Sequence, residues 1–159
     1  MAPTSGYTSI EICSGAGGQA LGIERAGFRH LVLVENDPAC CNTLRAVRAG
    51  KFGVRTAWKP VVQEINVKRF YAGDLEENVD LYAAGVPCPP FSRAGRQLGA
   101  ADERDLFPIA IRHIKECRPR AVMLENVPGL LHGRFDAYRR EVIEKPLEAE
   151  GYICFPWKL

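Results

Sequence analysis

Residues 85–92 (GVPCPPFS) place one thiol, Cys88, among three prolines in this 159-residue chain. Proline fixes φ and cannot continue a strand, so the loop is stiff and positions the sulfur. The thiolate fraction of a free thiol is small at neutral pH, but it is a strong nucleophile. We therefore interpret Cys88 as a nucleophile. The remaining cysteines are expected to be reduced, structural residues: Cys13, Cys40, Cys41, Cys117 and Cys154.

A second segment, residues 125–129 (ENVPG), begins with a carboxylate that directly follows an apolar run, residues 121–124. If this run is the strand next to the one that precedes Cys88, Glu125 reaches the same sheet edge as the thiol. Partial desolvation there would raise the pKa of Glu125 and allow it to donate a proton to a ring nitrogen. Alone, Glu125 would be a surface residue before a turn, and the pairing with Cys88 favours a catalytic role.

A glycine-rich turn, residues 15–18 (GAGG), is typical of a cofactor site. It lies between an expected strand and an expected helix, where an open α/β sheet binds its ligand, and glycine lets the backbone approach closely. Glu35 ends the next expected strand, close to the ~20-residue offset at which a carboxylate binds ribose hydroxyls. NAD and S-adenosylmethionine both present such a ribose, and the turn does not distinguish them.

Strands and helices are expected to alternate along the chain and to position these segments. The expected strands are residues 7–13, 30–35, 61–65, 80–85, 119–124 and 152–157, and the expected helices are residues 19–26, 37–49, 102–117 and 135–150. This order predicts one α/β domain with a parallel sheet and helices on both faces. The irregular stretch 51–60 is interpreted as a solvated connector in preference to a nucleic-acid-binding loop.

Composition excludes several other classes of protein. With 47% hydrophobic and 25% charged residues, the chain is not collagen-like, coiled-coil or disordered. No window approaches the ~18 apolar residues of a membrane span, and the N-terminus has no secretory pattern. The cysteines and histidines lack zinc-site spacing, so no metal is expected. A net charge of +2 neither requires nor excludes a polyanionic partner.

Together these segments resemble the cytosine C5 DNA methyltransferase family. Residues 11–18 (EICSGAGG) resemble the family's first motif, which binds S-adenosylmethionine, and residues 85–92 resemble its Pro-Cys loop. Residues 125–127 (ENV) match its Glu-Asn-Val motif, and residues 104–107 (RDLF) resemble a segment whose Leu lines the cofactor pocket. The resemblance implies a Rossmann-like, mostly parallel class I S-adenosylmethionine-dependent methyltransferase sheet.

The resemblance also implies roles for individual residues. Cys88 and Glu125 would be catalytic. Cofactor binding would fall to Glu11, Cys13, Ser14, Gly15, Gly17, Gly18, Glu35, Asn36, Ile65, Asn66 and Leu106. The pocket for the target base would contain Pro87, Phe91, Ser92, Asn126 and Val127. Cys13 stands where the family has Phe, which removes an aromatic contact with the cofactor. Asn66 is the preferred partner of the adenine amino group because it directly follows the third strand, and Asp74 is the second choice.

The implied reaction transfers a methyl group from S-adenosylmethionine to carbon 5 of cytosine in double-stranded DNA. The thiolate of Cys88 adds to C6 while Glu125 supports or protonates N3, so that C5 can attack the methyl group. Loss of the C5 proton then expels the thiol. The base must leave the duplex to reach such a site. The family further implies a bacterial or phage-like cytoplasmic enzyme with a restriction partner.

The resemblance also predicts what the chain lacks. Residues 1–159 would be the N-terminal part of the catalytic domain, without the seventh, antiparallel strand, the target-recognition domain or the C-terminal motifs. Activity would then need further sequence, a complementary C-terminal subunit or a homo-oligomer. The alternatives are a transfer-RNA cytosine methyltransferase and a catalytically incomplete cofactor-binding or assembly module. An NAD-dependent oxidoreductase is disfavoured because that chemistry does not require Cys88 and Glu125 together.

Overall fold

The computed structural model describes residues 6–51, 61–87 and 105–156. Its sheet has five strands, β1 Thr8–Ile12, β2 Arg29–Glu35, β3 Val61–Glu64, β4 Leu81–Gly85 and β5 Ala121–Glu125. They lie in the order β3-β2-β1-β4-β5, and every neighbouring pair is parallel. The order reverses between β1 and β4, which is the point in an open α/β sheet where ligands bind. The expected parallel α/β architecture is confirmed.

The helices cover both faces of this sheet. They are α1 Gly18–Arg25, α2 Pro38–Arg48, α3 Phe107–Cys117, α4 Asp136–Tyr138 and α5 Lys145–Ala149, with 3₁₀ turns at Val67–Arg69, Ala72–Asp74, Pro128–Leu131 and Gly133–Phe135. Asp37 caps α2 as expected, because its Oδ1 accepts from the Cys40 N–H at 2.8 Å and Pro38 occupies the first turn. No helix in the described part of the chain is long and apolar enough to cross a membrane.

The central strands are buried because apolar side chains project from both faces. On one face the main core includes Ile10, Ile12, Val34, Tyr82, Phe107 and Ile114. On the other face, smaller clusters join the sheet to α1 and α2, including Ala20, Leu33, Leu44, Ile23 and Ala83. Fully burying such a large aliphatic side chain contributes about 1.5–3 kcal/mol. These contacts hold the carboxyl ends of β1, β2 and β4 together at one edge.

A buried polar network on the α1 face fixes the relation of β1, β2 and α1. His30 Nε2 lies 2.8 Å from the carbonyl oxygen of Ala20 and therefore donates to it. Its Nδ1 then accepts from the Ser9 hydroxyl at 2.9 Å. Burial lowers the pKa of His30, which keeps the ring neutral. Both ring nitrogens are satisfied, so this pair is structural.

The sixth expected strand, residues 152–157, is wrong over its described part. Residues 152–156 are not in a strand, although Tyr152 and Cys154 face inward and Ile153 and Phe155 are exposed. The alternation fits a strand, but a strand also needs a neighbour for its hydrogen-bond ladder. Within the described residues no strand pairs with this segment, and Tyr152 Oη donates instead to the Pro119 carbonyl at 2.5 Å.

Two expected helices also differ from the prediction. Residues 135–150 are not one α-helix, because Arg139–Glu144 is π-helical. The π-helical stretch ends directly before α5, whose first turn contains Pro146, a residue without an N–H to continue the ladder. The other helix begins at Phe107, not at Asp102, and the Asp105 carboxylate accepts from the Phe107 N–H at 3.0 Å. Residues 102–104, like most of the predicted connector 51–60, lie outside the described residues.

Candidate functional site

A cavity of about 480 Å³ opens at the carboxyl ends of β1, β2 and β4, where the strand order reverses. Its volume falls in the range of small-molecule and cofactor sites. The wall consists of Cys13, Val34, Glu35, Asn36, Ile65, Asn66, Val67, Lys68, Gly85, Pro87 and Leu106. The topology therefore brings together segments that are far apart in the sequence.

Some of the predicted site residues line this cavity and others do not. Of the predicted cofactor residues, the wall includes Cys13, Glu35, Asn36, Ile65, Asn66 and Leu106, together with Pro87 from the predicted base pocket. Glu11, Ser14, Gly15, Gly17 and Gly18 are not in the wall, and neither are Asn126 and Val127. Cys88, Phe91 and Ser92 lie outside the described residues. The assigned roles stay predictions.

Sequence reasoning missed part of the wall, namely Val34, Val67, Lys68 and Gly85. Val34 and Val67 each adjoin a predicted residue, Lys68 lies two positions after Asn66, and Gly85 ends the strand before the Pro-Cys loop. Their location near the carboxyl ends of the expected strands could have identified these wall residues, because such residues face the ligand crevice of a parallel sheet.

The glycine turn has the backbone conformation that its sequence predicts. Gly15 has φ 53° and Gly17 has φ 91°, both in the left-handed region that favours glycine. Cys13 also has a positive φ, 53°, which is rare for a residue with a side chain. A Cβ atom added at Gly15 or Gly18 would meet nothing within 4 Å. The turn therefore presents open backbone that a ligand can approach.

The Glu35 carboxylate holds the turn against the end of β2. Its Oε2 accepts from the Gly15 N–H at 2.8 Å. Its Oε1 accepts from the N–H groups of Asn36 and Asp37 at 2.8 and 2.9 Å. A carboxylate offers about four lone-pair sites and three are used here, so about one remains for a hydroxyl donor of a ligand. This arrangement suits the ribose role predicted for Glu35.

Asn66 and Asp74 differ in their relation to the cavity. Asn66 lines the wall, and its Oδ1 accepts from the Lys68 N–H at 2.9 Å, which fixes the direction of the amide. A carbonyl oxygen has two lone pairs, so this atom can accept one further hydrogen bond. Asp74 belongs to the 3₁₀ turn Ala72–Asp74 and is absent from the wall. The geometry therefore favours Asn66.

Two titratable groups of the first motif are held in their neutral forms. Burial, reinforced by the charges of Glu35 and Glu11, raises the pKa of the Cys13 thiol to about 12. Burial alone raises the pKa of Glu11 to about 8, and neither of its oxygens has a hydrogen-bond partner within the described residues. Cys13 is therefore a small wall residue without nucleophilic character, and Glu11 is an uncharged acid beneath the turn.

The second candidate segment lies beside the end of β4. β4 and β5 are neighbours, as predicted, and Gly85 is the register partner of Glu125. A Cβ atom at Gly85 would lie 3.7 Å from Glu125 Oε2 and 3.5 Å from the amide oxygen of Gln19. The Asn126 amide donates to the Val86 carbonyl at 3.2 Å and joins the end of β5 to the residues before Cys88. The Glu125 carboxylate thus lies beside Gly85, the first residue of the Pro-Cys loop.

The described residues contain no group of three or more His, Cys, Asp or Glu side chains that could hold a metal ion. The polar groups at this edge are instead carboxylates, amides and backbone N–H groups. Such groups bind hydroxyl and amino substituents of an organic ligand.

Comparisons with known proteins agree with this geometry. The family model for C-5 cytosine-specific DNA methylase matches residues 7–159. The Type II methyltransferase M.NgoMIV of Neisseria gonorrhoeae is 50% identical over 153 residues, covering 96% of this chain and 45% of the relative. M.NaeI of Lentzea aerocolonigenes is 44% identical and covers 94% of this chain and 34% of its own length.

Among solved structures, a prophage-encoded E. coli protein described as a DNA modification methyltransferase matches with a TM-score of 0.68 and 25% identity. The match covers 90% of this chain and 38% of that one. The chain thus spans less than half the length of each of these relatives. The family match over nearly the whole chain, the identity to both relatives and the sheet-edge geometry agree, and this chain belongs to the C-5 cytosine-specific DNA methylase family.

Proposed function

We propose that the cavity binds S-adenosylmethionine and that the protein methylates carbon 5 of cytosine in DNA. Three observations support the fit of the cofactor. Glu35 has about one lone-pair site left for a ribose hydroxyl, Asn66 Oδ1 can accept from an adenine amino group, and Gly15 leaves open space beside the turn. When bound, S-adenosylmethionine supplies an electrophilic methyl group. The apolar side chains of Leu106 and Ile65 also line the cavity.

The chain's own residues would activate the base. The Cys88 thiolate adds to C6, which forms an S–C6 bond and moves the displaced electron pair toward N3. Glu125 supports or protonates N3, although its side chain is exposed and not partly desolvated as expected, and C5 becomes nucleophilic enough to take the methyl group. N3 then gives up any proton received from Glu125, loss of the C5 proton to water regenerates the C5–C6 double bond, and the S–C6 bond breaks to release the thiolate. Covalent addition divides one difficult substitution into easier steps.

The register pair Gly85–Glu125 is the observation that carries this proposal. It sets the carboxylate beside the residue three positions before Cys88, and Gly85 also lines the cavity. The bond from the Asn126 amide to the Val86 carbonyl supports the same juxtaposition. The substrate base would have to leave the duplex, at a cost of a few kcal/mol.

We propose further that residues 1–159 form the N-terminal part of a larger catalytic unit. Within the described residues β5 is an edge strand with alternating exposed residues, and Met123 at its centre is 38% exposed. A groove of about 570 Å³ runs between β5 and residues 151–156. Unpaired edges and exposed apolar grooves are normally covered. Further sequence or a partner subunit would cover this edge and add the surface that recognises DNA.

Because both named relatives are Type II methyltransferases of bacteria, we propose that the protein acts on chromosomal DNA within a restriction-modification system. Transfer of labelled methyl groups to DNA tests the reaction. The chain is assayed alone and together with a polypeptide carrying the C-terminal part of the N. gonorrhoeae relative. Cys88→Ser should abolish transfer, and Cys40→Ser, in α2 away from the cavity wall, should retain it.

The possible results separate the alternatives. Full transfer by the chain alone would contradict the need for a complement, and no transfer even with the complement would contradict the enzyme proposal. Preferential transfer to RNA in a mixed assay would indicate the transfer-RNA substrate. The third alternative is a catalytically incomplete cofactor-binding or assembly module. That module would bind cofactor but would form no covalent adduct with fluorocytosine DNA.

A further inference from the structure

The cavity wall around Asn66, where the proposed adenine contact lies, is formed by a segment that pairs with no strand in the described part of the chain. It begins at Asn66, after β3, and continues through the 3₁₀ turns Val67–Arg69 and Ala72–Asp74. Its first residues, Asn66, Val67 and Lys68, lie in the cavity wall. Since no sheet ladder fixes the segment, its position depends on side chains that bind its backbone.

Those side chains come from one face of α3. The Arg112 guanidinium donates through Nη2 to the Phe70 carbonyl at 2.9 Å and to the Lys68 carbonyl at 3.3 Å. One turn later, Glu116 Oε2 accepts from the Ala72 N–H at 2.8 Å. Arg112 Nε and Glu116 Oε1 are 3.3 Å apart, so the two side chains also pair with each other. Arg112 and Glu116 thus hydrogen-bond the backbone of the segment that follows Asn66, at Lys68, Phe70 and Ala72.

His113 adds a buried link from the same face. Its Nε2 lies 3.1 Å from the Phe70 carbonyl, and its Nδ1 lies 3.1 Å from the Tyr82 hydroxyl. Nε2 also lies 2.9 Å from Arg112 Nη2, which can only donate, and Nδ1 meets the hydroxyl of Tyr82 on β4. The Phe70 and His113 rings also meet edge to face, with centroids 5.3 Å apart. The segment is therefore anchored to the sheet through α3.

We propose that Arg112 and Glu116 are positioning residues for adenine recognition: they hold the Asn66–Lys68 wall at the distance at which Asn66 accepts from the adenine amino group. Neither residue lines the cavity, so neither would touch the ligand. This inference rests on the proposed function. It adds that α3 controls discrimination among purines, since a displaced wall loses the hydrogen bond that distinguishes an amino group from a carbonyl.

Calorimetry with two probes tests the inference on the full chain. The probes are S-adenosylhomocysteine and its deaminated analogue, in which hypoxanthine replaces adenine. The wild-type chain should prefer the adenine compound, because the hypoxanthine carbonyl would face the Asn66 carbonyl. Arg112→Met keeps the aliphatic stem and should weaken binding of S-adenosylhomocysteine about fivefold, the worth of one ordinary hydrogen bond. Its preference for adenine should fall by the same factor.

Two further variants keep the test specific. Glu116→Gln retains an oxygen that can accept from the Ala72 N–H and should keep most of the preference, whereas Glu116→Ala should lose it. Lys115→Met is the matched control, because Lys115 lies on the same helix but pairs with Glu150 at 3.6 Å. It should bind both probes as the wild-type chain does. Glu116→Ala also replaces Arg112→Met in the test if the latter does not fold.

Three results would overturn the inference. The first is an unchanged preference in folded Arg112→Met and Glu116→Ala. The second is equal weakening of both probes with a lowered melting temperature, which would indicate a merely structural role. If the wild-type chain binds S-adenosylhomocysteine without preferring it to the deaminated analogue, adenine recognition by Asn66 fails. Absence of any binding by the wild-type chain would instead contradict the proposed function itself.

Discussion

Glu11 and Glu35 lie on neighbouring strands, yet their surroundings give them opposite properties. Glu35 accepts from three backbone N–H groups at the cavity, while both oxygens of Glu11 are buried and lack a partner within the described residues. The sequence marks both as acidic residues beside the cofactor. Only the packing around β1 distinguishes the hydrogen-bonded side chain that fastens the turn from the buried, neutral one beneath it.

Glu11→Gln should change how stability depends on pH. The pKa of Glu11 is about 8 in the folded chain and 4.5 without burial, so between these values the folded state retains a proton that the unfolded state releases. The contribution of Glu11 to stability is therefore fully present below pH 4.5. It is lost as the pH rises to 8, by about 1.4 kcal/mol per pH unit. Between pH 5 and pH 8, urea unfolding should show that the free energy of unfolding falls by about 3 kcal/mol more in the wild-type chain than in the Glu11→Gln chain. Parallel pH profiles for the two chains would contradict this.

Gly85→Ala should separate folding from ligand binding. The added Cβ would meet Cys13, Gln19 and Glu125 at 3.5–3.7 Å, which is ordinary contact. The free energy of unfolding should therefore change by no more than about 0.5 kcal/mol. The methyl group would nevertheless fill space in the cavity wall, so S-adenosylhomocysteine should bind more weakly.

Gly22→Ala is the matched control for that substitution, because Gly22 lies on α1 with nothing within 4 Å of an added Cβ. Calorimetry and thermal unfolding check both variants. Unchanged affinity in Gly85→Ala would show that the ligand does not occupy this part of the cavity.

At the scale of elements, prediction succeeded where a local signal suffices. The strands β2, β4 and β5 contain short apolar runs, and α2 has its cap and proline in sequence. The sixth strand was wrong because pairing depends on a neighbour that residues 152–156 do not meet. The hydrogen bonds from α3 to the segment after Asn66 were missed because they are tertiary contacts between residues far apart in the sequence.

His113 on α3 provides a prediction about acid stability. Burial, and then the charge of Arg112, lowers the pKa of His113 from 6.5 to about 4. Between these values the unfolded chain binds a proton that the folded chain excludes, so stability is present above pH 6.5 and is lost as pH falls toward 4. His113→Gln keeps a donor near the Phe70 carbonyl but cannot titrate.

Urea unfolding at pH 7 and pH 5 checks this expectation. The wild-type chain should lose about 2 kcal/mol more than His113→Gln between the two values. His30, whose pKa is also lowered by burial, is present in both chains and cancels in the comparison. Equal losses would mean that His113 is protonated without cost in the folded chain.

At the scale of the whole molecule, the two edges of the sheet differ. β3 has four residues and lies beside α2, while β5 faces the groove next to residues 151–156. In that segment Ile153 is 79% exposed and Phe155 is 83% exposed. Apolar side chains this exposed, beside an unpaired edge, indicate an interaction surface. The β5 edge is therefore where we expect the rest of a catalytic unit to dock.

Met123→Glu should weaken that docking without affecting the cofactor cavity. Met123 is exposed at the centre of β5 and is absent from the cavity wall. A carboxylate there would have to be desolvated when a new strand or loop covers the edge, which costs several kcal/mol unless the charge is paired. Titration with the labelled C-terminal part of the N. gonorrhoeae relative should show at least about tenfold weaker association. Binding of S-adenosylhomocysteine should not change.

Val61→Glu supplies the comparison at the other end of the sheet, since Val61 is an exposed apolar residue of the β3 edge. If docking occurs at β5, this variant should associate with the C-terminal polypeptide as the wild-type chain does. Equal weakening by both substitutions would indicate a nonspecific effect of added charge. Weakening by Val61→Glu alone would move the docking surface to β3. Because the two residues lie on opposite edges of one sheet, a difference between them locates the interface.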